Sequence, residues 1–183
     1  WNYKLIEFSV EITCMRKKYL QQLTPLITEL IGELISLEGL TIDFYQGWDQ
    51  QSTLENVLSR SFFRDSSLGY THYGPQRADL LIKLHGNPVH EVLSRGEQKL
   101  LAYGLQLAQG LLLKKIADKS CIYLFDDLFA ELDSVRQAYL VTLLNRLESQ
   151  VFITVIEASL IKLINSNVNG KTFQVEKGKV LEK

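Results

Sequence analysis

Two adjacent carboxylates, Asp126 and Asp127, follow directly on the continuous apolar run of residues 121–125. Such a run predicts a strand buried on both faces, and ligands in open α/β sheets bind beyond the carboxyl ends of the strands. There, the first carboxylate could orient Mg²⁺ or its waters, and the second could orient or deprotonate an attacking water. The alternative is an exposed turn with two solvated acids, and the pair by itself leaves both interpretations open.

A second candidate site lies in residues 93–99, LSRGEQK, directly before a predicted helix. Ser94 and Gly96 would offer a hydroxyl, backbone N–H groups and the positive end of the helix dipole, all of which suit a phosphate. The simpler interpretation is structural, because Ser94 could cap the helix while Glu97 completes a capping box. Taken alone, the pattern favours this structural interpretation.

The elements that must position these residues follow from the periodicity of the apolar side chains. Residues 1–38 predict helix with a kink or boundary at Thr24 and Pro25, so that its two parts could form an antiparallel hairpin. We expect further helices at residues 52–64, 96–116 and 134–147, with Ser134 near the cap of the last. Strands are predicted at residues 40–44, 68–71, 79–84, 121–125 and 151–156, and a closing hairpin at residues 172–181.

The succession of strand, helix, strand, helix and strand after residue 67 predicts an α/β fold with a parallel sheet. We therefore divide the chain into a helix-rich arm subdomain, residues 1–66, and a second part, residues 67–183, that carries both candidate sites. No apolar run approaches the length that is needed to span a bilayer.

Composition excludes several classes of protein. The 183 residues carry a formal net charge of −1, which argues against a histone-like polycation and an acidic tail, although not against a local basic patch. Cys14 and Cys121 are far apart in the chain, so we expect neither a structural zinc site nor a disulfide framework. This cysteine usage fits a reducing cytoplasm.

The order and spacing of the two candidate sites resemble those of an ATP-binding-cassette (ABC) ATPase. The Ser-x-Gly helix comes first, the acid pair follows about thirty residues later, and Asp133 comes six residues after Asp127. This is the order of signature motif, Walker B motif and D-loop. The chain resembles most closely the C-terminal part of the RecF family, the SMC-like ABC ATPases of bacterial recombinational repair. The stretches that carry this resemblance are FYQGW (44–48), YGPQRADL (73–80), LSRGEQKLL (93–101), LAQG (107–110), YLFDDLFAELD (123–133), QVFIT (150–154) and VEKGK (175–179).

The resemblance implies a partial ABC-ATPase (P-loop NTPase) lobe with a helix-rich arm. It also implies that Asp126 corresponds to the Walker B acid that orients Mg²⁺ and that Asp127 corresponds to the catalytic acid beside it. Many cassette ATPases have Glu at the second position. The shorter side chain of Asp127 therefore implies a slow ATPase that acts as a switch more than as a motor.

Ser94 and Gly96 correspond, by the same resemblance, to signature residues that touch the γ-phosphate of ATP held by the other protomer. Arg95 and Glu97 belong to the same nucleotide-binding motif, and Asp133 corresponds to the D-loop acid at the dimer seam. The resemblance thus implies composite sites that form when two subunits sandwich ATP.

Two features of the cassette pattern are missing from the chain. The first is the phosphate-binding GxxxxGK[ST] loop. Gly170, Lys171 and Thr172 come after the Walker B strand, residue 165 is Asn, and we interpret the tripeptide as a turn. Because the chain starts at Trp1 within a helical pattern, we expect a fragment whose phosphate loop lies upstream. The second is a His after the strand that follows Walker B, since residues 151–156 lead into Glu157.

By resemblance, we expect a cytoplasmic DNA-repair protein that uses ATP and Mg²⁺ to close a homodimer around or upon DNA. It would act at gapped or single-stranded DNA with RecO and RecR, and these 183 residues alone would be inactive without a phosphate loop. One alternative is a non-catalytic interaction or dimerisation module that keeps the signature face. Another is a different SMC-like or transporter-type cassette, for which a long coiled coil or a membrane partner would be the mark.

The remaining candidate residues have structural interpretations. The three histidines are predicted to be surface or turn residues rather than ligands. We expect Arg77 to pair with an acid such as Asp79 and the apolar stripe between Leu5 and Tyr19 to pack in a core. Solvated helix faces are favoured for the basic clusters at residues 16–18 and 114–115, and any DNA contact would be mainly to phosphate.

Overall fold

The structure of the chain is a computed structural model. It describes residues 2–35, 37–147, 149–156, 160–162, 164 and 170–182. The chain divides into two compact units, one formed by residues 1–32 and 36–93 and the other by residues 33–35 and 94–183. The sequence predicted a different kind of boundary, after residue 66, between a helix-rich arm and an ATPase head. That functional division stays a prediction. None of the described helices is long and apolar enough to cross a membrane.

The first element is one long helix, α1 (Asn2–Leu34), which belongs to the first unit up to Gly32 and passes through Pro25 without interruption. The predicted boundary and the antiparallel hairpin are therefore wrong, whereas a kink within one helix stays a prediction. Proline in a helix leaves the carbonyl four residues earlier without its N–H partner. Here that carbonyl belongs to Gln21, and both Gln21 and Pro25 are exposed, so solvent can satisfy it.

The buried face of α1 differs from the one that the apolar pattern predicts. Phe8 and Met15 in the predicted stripe are 58% and 63% exposed, whereas the small polar residues Ser9 and Thr13 are buried. Only the start of the helix follows the prediction, because Leu5 packs against a cluster around Trp48. The spacing of apolar residues identifies one face of a helix, but it does not show whether that face or the face beside it is buried in the fold.

A three-stranded antiparallel sheet follows α1, formed by β1 (Leu40–Tyr45), β2 (Asp79–Leu84) and β3 (Asn87–Pro88) in that order. Between β1 and β2 lie α2 (Leu54–Leu68) and a 3-10 turn at Pro75–Arg77. The strand predicted at residues 68–71 is wrong, because α2 extends to Leu68 and ends at Gly69 in the left-handed conformation. The short helix α3 (Val89–Val92) closes the unit.

Two of the basic residues on α1 bind loops of the first unit rather than lying on a purely solvated face. Arg16 donates to the carbonyl of Pro75 at 2.7 Å, and the Lys17 ammonium donates to the side chain of Gln46 at 3.1 Å. Arg77 is exposed and forms no ion pair among the described residues, so the pair predicted with Asp79 is absent there. The prediction of a solvated face holds for Lys18, which is exposed.

The second unit contains the predicted parallel pair. Helix α4 (Arg95–Ala117) leads to β4 (Ile122–Phe125), then α5 (Ser134–Arg146) and β5 (Gln150–Ile153), and β4 pairs with β5 in parallel register. A final antiparallel hairpin consists of β6 (Phe173–Glu176) and β7 (Lys179–Glu182), as predicted.

One face of the β4–β5 pair is packed and the other is open within the described chain. Phe125 meets Tyr103 of α4 edge to face with ring centroids 5.2 Å apart, and the ring of Tyr123 lies against Gly110 of the same helix. On the opposite face, Ile122 and Leu124 are 63% and 74% exposed. The prediction of a strand buried on both faces is therefore wrong for this chain, because its helical layer covers one face.

Candidate functional site

The acid pair lies at the carboxyl end of β4, as the sequence predicts. Phe125 is in register with Ile153 of β5, so the next residues of the two parallel strands, Asp126 and Thr154, lie side by side. The Asp126 side chain is exposed, whereas Asp127 is half-buried and has a φ of 48°. Few residues other than glycine adopt this left-handed conformation, and aspartate is among those that do.

The Thr154 hydroxyl links both acids. It donates to the Asp126 carboxylate oxygen Oδ1 at 2.5 Å and accepts from the backbone N–H of Asp127 at 2.8 Å. The Thr154 backbone N–H donates to the carbonyl of Phe125 at 2.9 Å, so that the residue continues the pairing of β5 with β4. The acids are therefore fixed from the neighbouring strand.

Lys99 holds the same loop from the side of α4. Its ammonium donates to the Asp127 carbonyl at 2.7 Å and to the Ala130 carbonyl at 3.3 Å. The same ammonium lies 5.9 Å from the centre of the Tyr103 ring. A charged donor on two backbone carbonyls fixes the loop that follows the acids to the helix that starts at the second candidate site.

Tyr103 lies close to the acids. Burial raises the pKa of the Tyr103 phenol, and the nearby carboxylates of Asp127 and Asp126 raise that pKa further. Both causes act in the same direction, since burial and negative charge each disfavour a phenolate. Tyr103 is therefore a neutral side chain packed next to the acid pair at physiological pH.

The start of α4 contains the predicted capping box. The Ser94 side chain accepts from the backbone N–H of Glu97, and the Glu97 carboxylate accepts from both the backbone N–H and the hydroxyl of Ser94, at 3.0 and 2.6 Å. These two hydrogen bonds from Ser94 lower the pKa of Glu97, burial opposes the shift, and the charge of Arg136 lowers it further. Glu97 is therefore ionised and holds the helix start in place.

Gly96 lies directly against the loop after the acids. A Cβ atom at Gly96 would lie 2.7 Å from the backbone carbonyl oxygen of Glu131, closer than real side chains approach. Gly96 therefore has a packing reason to be glycine in addition to any contact with phosphate. The contact joins the helix start to residues 127–133.

Asp133 is the N-cap of α5, where Ser134 was expected near the cap. Its carboxylate oxygen Oδ1 accepts from the backbone N–H of Arg136 at 2.9 Å. The Arg136 guanidinium lies 3.5 Å from Asp133 and 3.5 Å from Glu97. Arg136 thus bridges the acid at the start of α5 to the capping box at the start of α4.

The structure brings most of the predicted residues into one network. Ser94, Glu97 and Asp133 are connected through Arg136, and Gly96 touches the loop that begins with Asp127. The exposed side chain of Arg95, at the first position of α4, takes no part in these contacts.

Three residues of this network were missed by the sequence analysis. Thr154 could have been found from the parallel register, because a polar residue at the end of β5 must lie beside the end of β4. Arg136 follows Asp133 by three residues on a helix, which is a weak signal. Lys99 lies at the end of the LSRGEQK stretch, but the sequence does not indicate its role, since its partners are backbone carbonyls about thirty residues away.

The site has the chemistry for a magnesium ion that is shared with a phosphate ligand. Mg²⁺ in proteins is bound by one or two carboxylates together with waters and substrate phosphates. Asp126 is an exposed carboxylate of this kind, and its Oδ2 atom accepts no hydrogen bond from the described residues. Among the described residues, which include His72, His85 and His90, no three or more His, Cys, Asp or Glu side chains lie together in a group that could hold a metal ion.

Neither of the two missing cassette features is supplied by the described residues. Gly170, Lys171 and Thr172 lie in irregular chain that leads into strand β6, as predicted, so they do not open a helix that could receive a phosphate. Residues 154–156 contain no His, and both Glu157 and Asn165 lie outside the described residues.

A parallel pair of strands with acids at its carboxyl end is an open α/β arrangement with a ligand site beyond the strand ends, and the ABC-type ATPase head lobe is one class of protein with this arrangement. Comparison with protein families agrees with this assignment. The chain belongs to the family described as RecF/RecN/SMC N terminal domain, whose model matches residues 10–180.

Individual relatives and solved structures show which members of the family the chain is similar to. The chain is 43% identical over 181 residues to the DNA replication and repair protein RecF of Pseudomonas paraeruginosa, covering 98% of this chain and 49% of the relative. The solved structure of the recombination mediator protein RecF with ATP in the RecFOR pathway is 25% identical, with a TM-score of 0.74 and coverage of 98% of this chain and 48% of that one.

A solved SMC head bound to the C-winged helix domain of ScpA is similar in fold alone, with 16% identity and a TM-score of 0.55 over 91% of this chain and 44% of that chain. The chain thus spans about half the length of the curated relatives that it matches. The resemblance noted in the sequence is confirmed.

Proposed function

We propose that this chain is the C-terminal part of a RecF-like ATPase head that closes a homodimer on DNA when ATP and Mg²⁺ bind. Its 43% identity to a DNA replication and repair protein over 98% of the chain supports this function. The protein would act at gapped or single-stranded DNA in recombinational repair and replication restart, as part of the response to DNA damage.

One structural observation carries the proposal. The start of α4, the acid pair and the start of α5 are connected by direct contacts: Gly96 against Glu131, Lys99 to Asp127, and Arg136 between Glu97 and Asp133. The three points therefore form one connected site, and a composite nucleotide site at a dimer interface needs its parts held together in this way.

Within this proposal, each predicted residue has a role. Asp126 holds Mg²⁺ or its waters, and Asp127 orients and deprotonates the attacking water. Ser94 and Gly96, with Arg95 and Glu97 in the same motif, face the γ-phosphate of the nucleotide held by the partner subunit. Asp133 lies at the dimer seam.

The chemistry of hydrolysis depends on groups that the described residues do not include. Bound Mg²⁺ would neutralise charge on the phosphate oxygens. What these residues contribute is a carboxylate at a fixed position, a base next to it and a capped helix start beside them. A short Asp at position 127 and the missing His favour slow turnover.

The relatives support a proposal for the partners. A RecF protein of the RecFOR pathway is among the structural neighbours, so we propose RecO and RecR as partners of the protein, together with DNA and a second copy of itself. We also propose a cytoplasmic location, which fits the two distant free cysteines, Cys14 and Cys121.

The test is the mass in solution of the full-length protein, by which we mean a polypeptide of the relatives' length that contains this chain. We expect monomers without nucleotide and dimers with Mg-ATP. Ser94→Arg should abolish the dimer, because a long cation at the start of α4 blocks the approach of the partner's phosphate. Ser66→Arg, an exposed serine on α2, is the matched control and should dimerise normally.

A mass that is indifferent to Mg-ATP in the wild-type protein would overturn the proposal. Dimerisation of Ser94→Arg at the wild-type level would instead remove Ser94 from the interface and leave the ATP-dependent dimer standing.

A non-catalytic interaction module is the second candidate function. The shorter acid at position 127 and the missing His favour it. In that case the full-length protein would dimerise with Mg-ATP or without it, yet release no phosphate above the level of an Asp127→Asn variant.

A further inference from the structure

We propose that Thr154 is a positioning residue for the metal site, holding the Asp126 carboxylate and the Asp127 backbone in the arrangement that Mg²⁺ binding needs. This inference rests on the proposed function, because it assigns a role within the same site. Thr154 ends the QVFIT stretch, but the sequence assigned it no role, and its position next to the acids follows from the strand register.

The Thr154 hydroxyl forms hydrogen bonds to both acids. It donates to Asp126 Oδ1 and accepts from the N–H of Asp127, so its single proton and one lone pair are both used at the acid pair. Only a side chain that can donate and accept from one small atom can do this at such short range. Serine could replace threonine in this role, whereas valine has the same shape and can do neither.

These hydrogen bonds leave one oxygen of the Asp126 carboxylate available. Thr154 engages one carboxylate oxygen of Asp126, and the other remains for a metal or a metal-bound water. Hydrogen bonds that fix the rotamer of a metal-binding carboxylate increase metal affinity because the ligand is ordered before the metal binds. A freely rotating carboxylate on an exposed strand end would lose that order.

The backbone of Asp127 also depends on Thr154. Its positive φ is held from both sides, since the N–H is bound by Thr154 and the carbonyl by Lys99. The Thr154 contact comes from the strand and the Lys99 contact from the helix. Loss of Thr154 therefore affects the carboxylate of Asp126 and the main chain of Asp127 together, whereas loss of Lys99 leaves the Asp126 carboxylate bond intact.

The experiment measures binding of Mn²⁺, as a probe for Mg²⁺, to the full-length protein by electron paramagnetic resonance with and without a non-hydrolysable ATP analogue. We expect Thr154→Val to weaken Mn²⁺ binding in the presence of nucleotide by about tenfold, the size typical for a lost partner of a metal ligand. Thr154→Ser keeps the hydroxyl and should retain wild-type affinity within about threefold.

Two controls separate positioning from folding. Thr142→Val removes an exposed hydroxyl on α5 whose one hydrogen bond within the described chain goes to the carbonyl of Ala138, and it should leave Mn²⁺ affinity unchanged. Circular dichroism and thermal unfolding of Thr154→Val show whether the substitution disturbs folding or stability. A lowered melting temperature with unchanged Mn²⁺ affinity would overturn the inference.

An Asp126→Asn variant distinguishes failure of this inference from failure of the proposed function. If Asp126→Asn weakens Mn²⁺ binding and Thr154→Val does not, the metal site stands and the role of Thr154 is wrong. If the wild-type protein and Asp126→Asn both fail to bind Mn²⁺ with nucleotide, the proposed metal site fails and the inference fails with it.

Discussion

At the scale of single residues, Asp127 combines a proposed chemical role with an unusual backbone conformation. Its carbonyl is held by Lys99 and its N–H by Thr154, which stabilise a φ that most residues avoid. The position of the carboxylate therefore depends on two neighbouring elements and not on its own rotamer alone.

We predict that Asp127→Asn lowers the rate of ATP hydrolysis of the full-length protein by on the order of 100-fold, because the amide cannot accept a proton from water. The ATP-dependent dimer should persist, since it needs binding and not hydrolysis. Phosphate release and solution mass measure the two effects. Asp127→Glu keeps a carboxylate and should retain measurable turnover, and equal turnover in wild type and Asp127→Asn would contradict the catalytic role.

Two glycines in helices give a matched pair of opposite predictions. Gly96→Ala places a methyl group against the carbonyl of Glu131 and should destabilise the protein by about 1–3 kcal/mol, as overpacking does. Gly32→Ala on α1 meets open space and should stabilise it by about 1 kcal/mol through helix propensity. Urea denaturation measures both, and a neutral Gly96→Ala would argue against the tight contact.

At the scale of elements, the start of α4 is the point where structure and proposed function coincide. The capping box and a phosphate-binding role use the same Ser94 hydroxyl and the same first N–H groups. In the described conformation the Ser94 side chain is engaged with Glu97, so phosphate binding would have to share or replace that contact.

The lowered pKa of Glu97 predicts how stability depends on pH. A carboxyl whose pKa is lower in the folded state stabilises it above the unfolded value of about 4.3, and this contribution is lost as the pH falls through the folded pKa. We therefore expect Glu97→Gln to be less stable than wild type at pH 7 and to approach it in acid. Urea midpoints at several pH values measure the difference, and a constant difference across the range would contradict the prediction.

Only one of the two faces of the β4–β5 pair is covered by a neighbouring element of the described chain. Tyr123 and Phe125 face α4, and the close approach of Tyr123 to Gly110 explains the glycine in the LAQG stretch. The other face, with Ile122 and Leu124, is exposed within the described chain.

At the scale of the whole molecule, the proposed phosphate loop is absent from these 183 residues. We expect this chain alone to bind Mg-ATP weakly, because a helix start and one carboxylate cannot enclose a triphosphate. Calorimetric titration of the chain against Mg-ATP measures this, with the full-length protein as the comparison. Tight binding to the chain alone would contradict the prediction.

DNA binding by the full-length protein should depend strongly on salt and only weakly on sequence, since the proposed contacts are to phosphates. The affinity should fall steeply between about 50 and 200 mM salt, and the slope of the logarithmic plot reports the number of phosphates contacted. Fluorescence anisotropy with two unrelated sequences of equal length measures both properties. Salt-independent binding that prefers one of the sequences would count against the proposal.

The sequence by itself determined the order of the chemical motifs, the ends of β1 and β2 to within one residue, the closing hairpin and the capping box. These features are local, because apolar alternation, turn residues and a Ser-x-x-Glu pattern act within a few residues. The family resemblance was also present in short local stretches. The strand predicted at residues 68–71 failed for a local reason as well, since Gly69 ends a helix there.

Only the tertiary structure decided which residues meet. The continuity of α1 through Pro25, the burial of Ser9 and Thr13 in place of the apolar stripe, and the open face of β4 depend on what packs against each surface. The links from Thr154, Lys99 and Arg136 to the site join residues that are distant in the chain or weakly marked in it. Such contacts are fixed by strand register and helix packing, which no single stretch of sequence contains.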